Sequence, residues 1–280
     1  MKRLSAKKYW DSVYEPQVLQ LNRHSLKEGL KALLTKLLGE NCLRVYADYL
    51  LWDVIYKKYL PKTKGLKMLE IGSAPGNNLV RFSRTFGFVP YGVEYSDEGI
   101  ELNREVFRLH NIDPDNIIHA DFFYDEFVKQ YKGSFDIVYS RGFIEHFTDV
   151  KGAVQRHIDL LTKGGYLVVI IPNLRGINYI LLRILHKESL LIHNIDIMDK
   201  KKFSELFDRR RLSSLFCDYY GVFTFDLLTT RRGSPLRLVR TFCNILQLIL
   251  NPIFHILFRN KRAENRLISP YLIYIGVKKL

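Results

Sequence analysis

Met68-Leu-Glu-Ile-Gly-Ser-Ala-Pro-Gly-Asn-Asn78 reads as a short apolar strand at 67–71, a turn with glycines at both ends, and the start of a helix at 77–86. Gly72 and Gly76 let the backbone turn tightly and let a ligand approach closely. The helix that follows opens with free N–H groups. In open α/β sheets, ligands bind outside the carboxyl ends of strands where the topology switches. Alone, the turn is equally a structural strand-to-helix corner.

The neighbouring strand ends sharpen the reading. Glu94 closes a strand predicted at 91–94, about twenty residues on, where a carboxylate can accept both hydroxyls of a ribose. Asp121 follows a strand at 116–119 and is placed to accept from an adenine amino group, with Tyr95 or Phe122 beside the ring. Each acid singly is as readily a solvated or capping residue; three sites at successive strand ends together favour an adenosine-type ligand. The turn lacks the G-x-G-x-x-G spacing of pyrophosphate binders. Glu70, two residues before Gly72, would repel a pyrophosphate but favour an ammonium or sulfonium. The charge pattern therefore points to S-adenosylmethionine rather than a dinucleotide.

Strands and helices continue to alternate: a helix at 97–110 capped by Ser96 or Asp97, a strand at 135–140, a helix at 150–161 and a strand at 166–171. That rhythm predicts parallel βαβ units in an α/β sheet covered on both faces. Helical spacing also marks 25–38 and 43–59. Beyond Pro172 the rhythm breaks. The segment 173–194 is apolar and basic and fits no strand; 200–207 reads as a helix, and 222–227 and 271–277 alternate as strands. The resulting organisation is an N-terminal helical segment at 1–62 and an α/β domain at 63–280 with insertions near 173–200 and 231–268.

At 280 residues and 47% hydrophobic, the chain can bury one large core, which excludes global disorder. Cys42, Cys217 and Cys243 form neither a metal spacing nor a disulfide framework, and the basic N-terminus has no apolar run behind it. A reducing, cytoplasmic setting fits. The net charge of +14 attracts polyanions, and between Arg231 and Leu280 the only acid is Glu264. Within that region Arg237, Arg240, Asn244, Gln247, Asn251, His255 and Arg259 recur at steps of three or four, a polar stripe on an otherwise apolar helix. The stripe and Pro252 argue against a spanning helix. Either the helix packs on its own domain with the stripe in water, or it lies in an anionic membrane interface through 236–262, its basic residues on lipid phosphates. The wide apolar arc favours the second.

The motifs Met68–Asn78, Gly92-Val-Glu-Tyr-Ser96, Ala120-Asp-Phe122, Phe135-Asp-Ile-Val-Tyr-Ser-Arg-Gly-Phe-Ile-Glu-His146 and Leu161-Thr-Lys-Gly-Gly-Tyr-Leu167 resemble the class I S-adenosylmethionine-dependent methyltransferases. The type 11 and type 23 branch, with its ubiquinone-pathway and surface-polysaccharide enzymes, is the nearest likeness. The resemblance covers residues 44–175 well and the rest loosely. It implies a Rossmann-like sheet of seven strands with the last antiparallel, helices on both faces and helical insertions. It further implies that Glu70, Gly72, Ser73, Ala74 and Gly76 line the methionine part of the cofactor, that Glu94 holds the ribose, and that Tyr95, Asp121 and Phe122 surround the adenine. Ser140 and Arg141 would touch the cofactor through their backbone. Ala74 stands where the family turn has a middle glycine. An N-terminal helix bearing Tyr9, Trp10, Asp11 and Tyr14 would cap the site.

Transfer from a sulfonium is an in-line displacement in which alignment does most of the work. A base is needed only where the acceptor loses a proton. His146, just past the fourth strand, is the best-placed candidate, and His193 in the first insertion is a second; a helix-starting histidine with a structural hydrogen bond is the competing reading of His146. No paired His or Cys ligands have a metal spacing. The expected activity is O-methylation of a small or lipid-linked acceptor, a glycan precursor or quinone-like lipid, by a cytoplasmic enzyme peripheral to the inner membrane face. Two alternatives stay open: a nucleic-acid methyltransferase, against which Ser140-Arg-Gly-Phe143 replaces the expected Asn/Asp-Pro-Pro-aromatic motif, and a non-catalytic S-adenosylmethionine-binding protein.

Overall fold

The computed structural model describes residues 1–18, 43–227, 237–258 and 263–280; the helix expected at 25–38 lies outside them. Helix α1 is Lys7–Val18. Helix α2 runs Tyr46–Tyr49, widens into a π-helical turn at Leu50–Ile55 and closes at Tyr56–Tyr59. The α/β unit then follows: β1 Lys67–Ile71, α3 Asn77–Phe86, β2 Val89–Glu94, α4 Asp97–Leu109, β3 Ile117–His119, α5 Asp125–Tyr131, β4 Phe135–Arg141, α6 Val150–Leu160 and β5 Leu161–Pro172. The first insertion forms α7 Ile177–Leu185 and α8 Lys187–Leu191, followed by α9 Lys200–Ser204. Last come β6 Leu212–Tyr220, α10 Arg237–Phe258 and β7 Tyr271–Lys278.

The seven strands form one sheet in the order β3-β2-β1-β4-β5-β7-β6, and β7 runs antiparallel to both its neighbours. Alternation along each strand feeds two cores. Leu69, Ile71, Val138, Leu167 and Val169 face α6 and the first insertion, while Met68, Ile137, Tyr139, Val168 and Ile170 face α2, α3 and α4. Strands apolar on both sides are what a sheet covered on both faces requires. Because the order reverses between β1 and β4, the crevice above their carboxyl ends is the switch point of the sheet.

Two expectations are corrected. The strand predicted at 222–227 is not one: Phe225–Leu227 is a 3₁₀ turn, and the strand is β6, ended by Gly221 at φ +80°. Its residues Ser213, Ser214 and Leu215 are exposed, so this edge strand lacks the apolar alternation that betrays a half-buried one. The polar stripe of α10 is likewise not in water where its side chains are described, apart from the exposed Asn244. Gln247 and Asn251 are buried: Gln247 Oε1 accepts from the Phe225 N–H, Gln247 Nε2 donates to Asn251 Oδ1, and Asn251 Nδ2 donates to the Leu43 carbonyl. His255 bonds the Arg44 carbonyl at 3.0 Å. The stripe satisfies backbone groups at the start of α2 and after β6, and the apolar arc is turned outward: Phe242, Ile245, Ile249, Ile253, Ile256 and Leu257 are all exposed, Ile256 at 79%.

Candidate active site

The turn after β1 is fixed by its glycines. The Gly72 and Ser73 N–H groups donate to the Val93 carbonyl, and Gly72 sits at φ +69°, where a Cβ would lie 2.9 Å from the Phe143 ring. Gly76, at φ +94°, caps α3 where a Cβ would strike Asn103. Asn103 Nδ2 donates to Ser73 Oγ at 2.5 Å, so the middle of the turn is pinned from α4. Gly92 on β2 leaves the room that Ser73 fills.

Beneath this turn lies Glu70, 3% exposed. One carboxylate oxygen accepts from Asn78 Nδ2 at 3.0 Å; the other is buried with no partner. Burial pushes the carboxyl up to about 8, partly offset by the Asn78 hydrogen bond and the positive charge of Arg141. An acid so placed lacks a cation.

Glu94 is also buried; its Oε1 accepts from the Tyr95 and Ser96 N–H groups and its Oε2 from the Ala74 N–H at 3.4 Å. Burial raises its carboxyl above the usual range despite those bonds. Gly72, Glu94, Tyr95, Asp121 and Phe122 line one cleft together with Phe143. The structure thus brings five of the expected cofactor residues to a single place, with Ser73, Ala74 and Gly76 on the adjoining turn.

Arg3, which sequence reading passed over, also lines that cleft. Its guanidinium pairs with Asp121, lies 4.6 Å from the Tyr95 ring centre and 5.7 Å from that of Phe123. The N-terminal segment holds it there: Leu4 N–H donates to the His146 carbonyl, and the Thr148 N–H donates to that of Lys2. Helix α1 closes the same side, with the Tyr14 hydroxyl donating to the Ala74 carbonyl at 3.3 Å and Ser96 Oγ donating to Asp11 at 2.6 Å. Only the general basicity of the N-terminus hinted at Arg3.

At the end of β4, Ser140 turns its side chain away from the cleft. Its hydroxyl bonds His157 Nε2 at 3.0 Å, while His157 Nδ1 donates to the Ala153 carbonyl. Burial lowers His157 to about 4, so it is neutral. Only the Ser140 backbone is left to meet a ligand. Arg141 turns to the opposite face, towards Tyr271.

His146 and His193, far apart in sequence, have ring centres 4.4 Å apart. His146 Nδ1 donates to the Ile192 carbonyl and His193 Nδ1 to that of Ser189, which leaves Nε2 of each neutral ring as an acceptor. Burial lowers both, His146 to about 3. Glu145 completes the group, fully buried with neither oxygen partnered and pushed up to about 8 by burial. Donor atoms of the three lie within 4.8 Å of one another, a set able to hold a cation. Linear spacing hid it, because Glu145 and His146 follow β4 while His193 comes from the insertion.

Residues 43–219 match a family model described as a methyltransferase domain, more than half of the chain. No curated protein matches. Among solved structures, a putative sarcosine dimethylglycine methyltransferase from Galdieria sulphuraria is similar at 15% identity and TM-score 0.52, covering 83% of this chain and 85% of that one. Geranyl diphosphate C-methyltransferase from Streptomyces coelicolor, solved with Mg²⁺, geranyl diphosphate and S-adenosyl-L-homocysteine, is similar at 16% and 0.52, covering 83% and 78%. Phosphoethanolamine N-methyltransferase 2 from Haemonchus contortus, solved with S-adenosyl-L-methionine, is similar at 16% and 0.51, covering 88% of this chain and 56% of that one. At these identities the structures show the shared fold.

Proposed function

This chain belongs to the class I S-adenosylmethionine-dependent methyltransferases, and from that premise we propose that it methylates an oxygen of a small or lipid-linked acceptor at a membrane surface. The observation that carries the cofactor assignment is Glu70. Its orphaned buried oxygen, beneath a turn that only glycines can make, asks for a positive group where the amino-acid end of S-adenosylmethionine would sit. Glu94 would then meet the ribose with Oε2, and Asp121 the adenine amino group once Arg3 gives way.

When bound, the cofactor supplies an activated methyl group: the acceptor oxygen bonds the methyl carbon as the carbon–sulfur bond breaks, S-adenosylhomocysteine leaves, and the acceptor's proton is lost. The chain's own part is alignment and water exclusion. The rings of Phe143 and Phe147 and the N-terminal segment at Arg3 wall the cleft. The Nε2 atoms of His146 and His193 are neutral acceptors suited to orient a hydroxyl, while burial makes both rings weak bases, so the proton released on transfer passes on to solvent.

The acceptor class rests on α10 and the first insertion. Their outward faces carry large apolar side chains (Ile180, Ile184, Leu191 and the α10 residues above), and the surrounding sequence is basic. No helix among the described residues is long and apolar enough to cross a membrane. An apolar surface in a basic setting suits lipid headgroups. Geranyl diphosphate, bound by one fold neighbour, is itself a prenyl lipid. The test is a methyl-labelled S-adenosylmethionine assay with separated lipid and soluble fractions of a cell extract. Label in an organic-extractable, acid-stable product is expected. Label only in protein or nucleic acid, or none, overturns the proposal.

A further inference from the structure

Arg141 at the end of β4 carries a guanidinium that makes no ion pair among the described residues and is only partly exposed; its hydrogen-bonding neighbours are the hydroxyls of Tyr139 and Tyr271. Its guanidinium carbon also lies over the face of Tyr271, 5.0 Å from the ring centre. Around it stand the hydroxyls of Tyr56, Tyr139 and Tyr220, all buried; those of Tyr56 and Tyr139 face one another, and that of Tyr220 has no hydrogen-bond partner. Tyr139 and Arg141, two apart on one strand, share a sheet face. Tyr220 at the end of β6 and Tyr271 at the start of β7 are register partners with rings stacked 5.3 Å apart. All four strand residues therefore meet at the carboxyl rim of the sheet, and α2 brings Tyr56 onto the same side.

The acids whose field reaches this cluster are Glu70, Asp48 and Asp226. None is an ion-pair partner of Arg141. Asp48 is engaged by Arg44 and Arg81, Glu70 accepts from Asn78 beneath the glycine turn, and Asp226 is exposed. Burial pushes the phenols up, so they remain O–H donors. One permanent positive charge with no carboxylate paired to it, beside an orphaned Tyr220 hydroxyl and two further buried phenols, makes a site rich in donors and poor in negative charge. A group with many acceptor oxygens and negative charge is its complement, and a tetrahedral phosphoryl group meets a guanidinium fork bidentately.

We infer that Arg141, with the hydroxyls of Tyr56, Tyr139 and Tyr220, forms a subsite for a phosphate or diphosphate group on the acceptor. The inference rests on the methyl-transfer reading only in calling the ligand the acceptor. The anion could belong to a lipid diphosphate or to a soluble sugar nucleotide, which share this chemistry.

The test is calorimetric titration of inorganic pyrophosphate into the full chain saturated with S-adenosylhomocysteine, for the unaltered protein, R141M, R141K and Y220F, with thermal midpoints for each. Binding to the unaltered protein is expected. R141M should weaken it roughly tenfold to a hundredfold, the scale of hydrogen bonds to a charged group. Y220F and R141K should weaken it several-fold, with S-adenosylhomocysteine affinity within twofold in Y220F, which leaves the charge beside Glu70 in place. No pyrophosphate binding to the unaltered protein overturns the inference, as does binding by R141M at unaltered strength. Should R141M fail to fold, R141K and Y220F decide: unchanged binding in both overturns it. Failure of S-adenosylhomocysteine to bind would sink the methyl-transfer reading instead and leave the pyrophosphate result standing. Farnesyl diphosphate and uridine diphosphate glucose, titrated in parallel, separate the two sources by which binds more tightly.

Discussion

Glu70 sets the pH behaviour expected of cofactor binding. Without ligand its carboxyl is held up to about 8 by burial, so at pH 7 it is mostly protonated. A ligand ammonium or sulfonium prefers the ionised form, so binding must expel the proton. Affinity for S-adenosylmethionine should therefore rise by up to about tenfold per pH unit between pH 6 and 8 and level off above. Calorimetry at pH 7 in buffers of different ionisation enthalpy should show nearly one proton released. Glu70→Gln, which keeps the shape and the Asn78 contact, should bind roughly tenfold to a hundredfold more weakly at pH 8 and lose the slope. A flat profile in the unaltered protein would exclude Glu70 as the cation's partner. Gly72 is the second sharp residue. Gly72→Ala meets both a positive φ and the Phe143 ring at 2.9 Å, a cost of about 1–3 kcal/mol for the backbone alone. It should lower the thermal midpoint by several degrees and weaken cofactor binding together; an unaltered midpoint would show that the turn can relax. Both residues were legible in sequence, because strand, glycine and acid stand within a few positions. The orphaning of Glu70 Oε2 was not, since it depends on what the fold leaves out around it.

Among the elements, β1 to β5 and β7 were legible because apolar runs bounded by glycine, proline and caps need no distant partner to be recognised. Ser96, whose hydroxyl accepts from the Gly99 N–H, caps α4 as its sequence position suggests. The edge strand β6 was missed for the reason that edges are hard to read: with one side open to solvent, Ser213 and Ser214 are as acceptable as valine. Helix α10 shows a different limit. Its period was plain, but which side met the protein was decided by the carbonyls of Leu43 and Arg44, which need donors and recruit Asn251 and His255. The outward apolar arc that results makes a testable surface. Replacing Ile249, Ile253 and Ile256 together by serine should cut co-sedimentation with phosphatidylglycerol vesicles about tenfold or more, since removing three large apolar groups from a lipid contact costs several kcal/mol. The thermal midpoint should hold, because all three are exposed. Asn251→Leu should do the reverse, lowering stability by about 1–3 kcal/mol through the orphaned Leu43 carbonyl. Vesicle binding unchanged in the triple variant would remove the membrane from the proposal.

Across the whole molecule, the two ends of the chain meet the switch point from opposite sides, and no local pattern could announce it. The tail adds α10 and β7, and the N-terminal segment reaches back to residues 146–148 and lays Arg3 against Asp121. A planar guanidinium beside the rings of Tyr95 and Phe123, paired with the acid proposed for the adenine amino group, stands in the slot proposed for the adenine. Binding of the proposed cofactor must therefore displace it, and the ligand's apparent affinity is reduced by the fraction of molecules in which Arg3 occupies the slot. The pair is partly exposed, so its worth is on the order of 1 kcal/mol. Arg3→Ala should accordingly tighten S-adenosylhomocysteine binding about threefold to tenfold, mainly through faster association, and higher salt should narrow the difference by screening the pair in the unaltered protein. The opposite outcome, weaker binding with faster dissociation, would mean that Arg3 closes over the bound ligand rather than competing with it. Stopped-flow fluorescence of Trp10, which lies edge-on to His146 at 5.1 Å, separates the two by which rate constant moves.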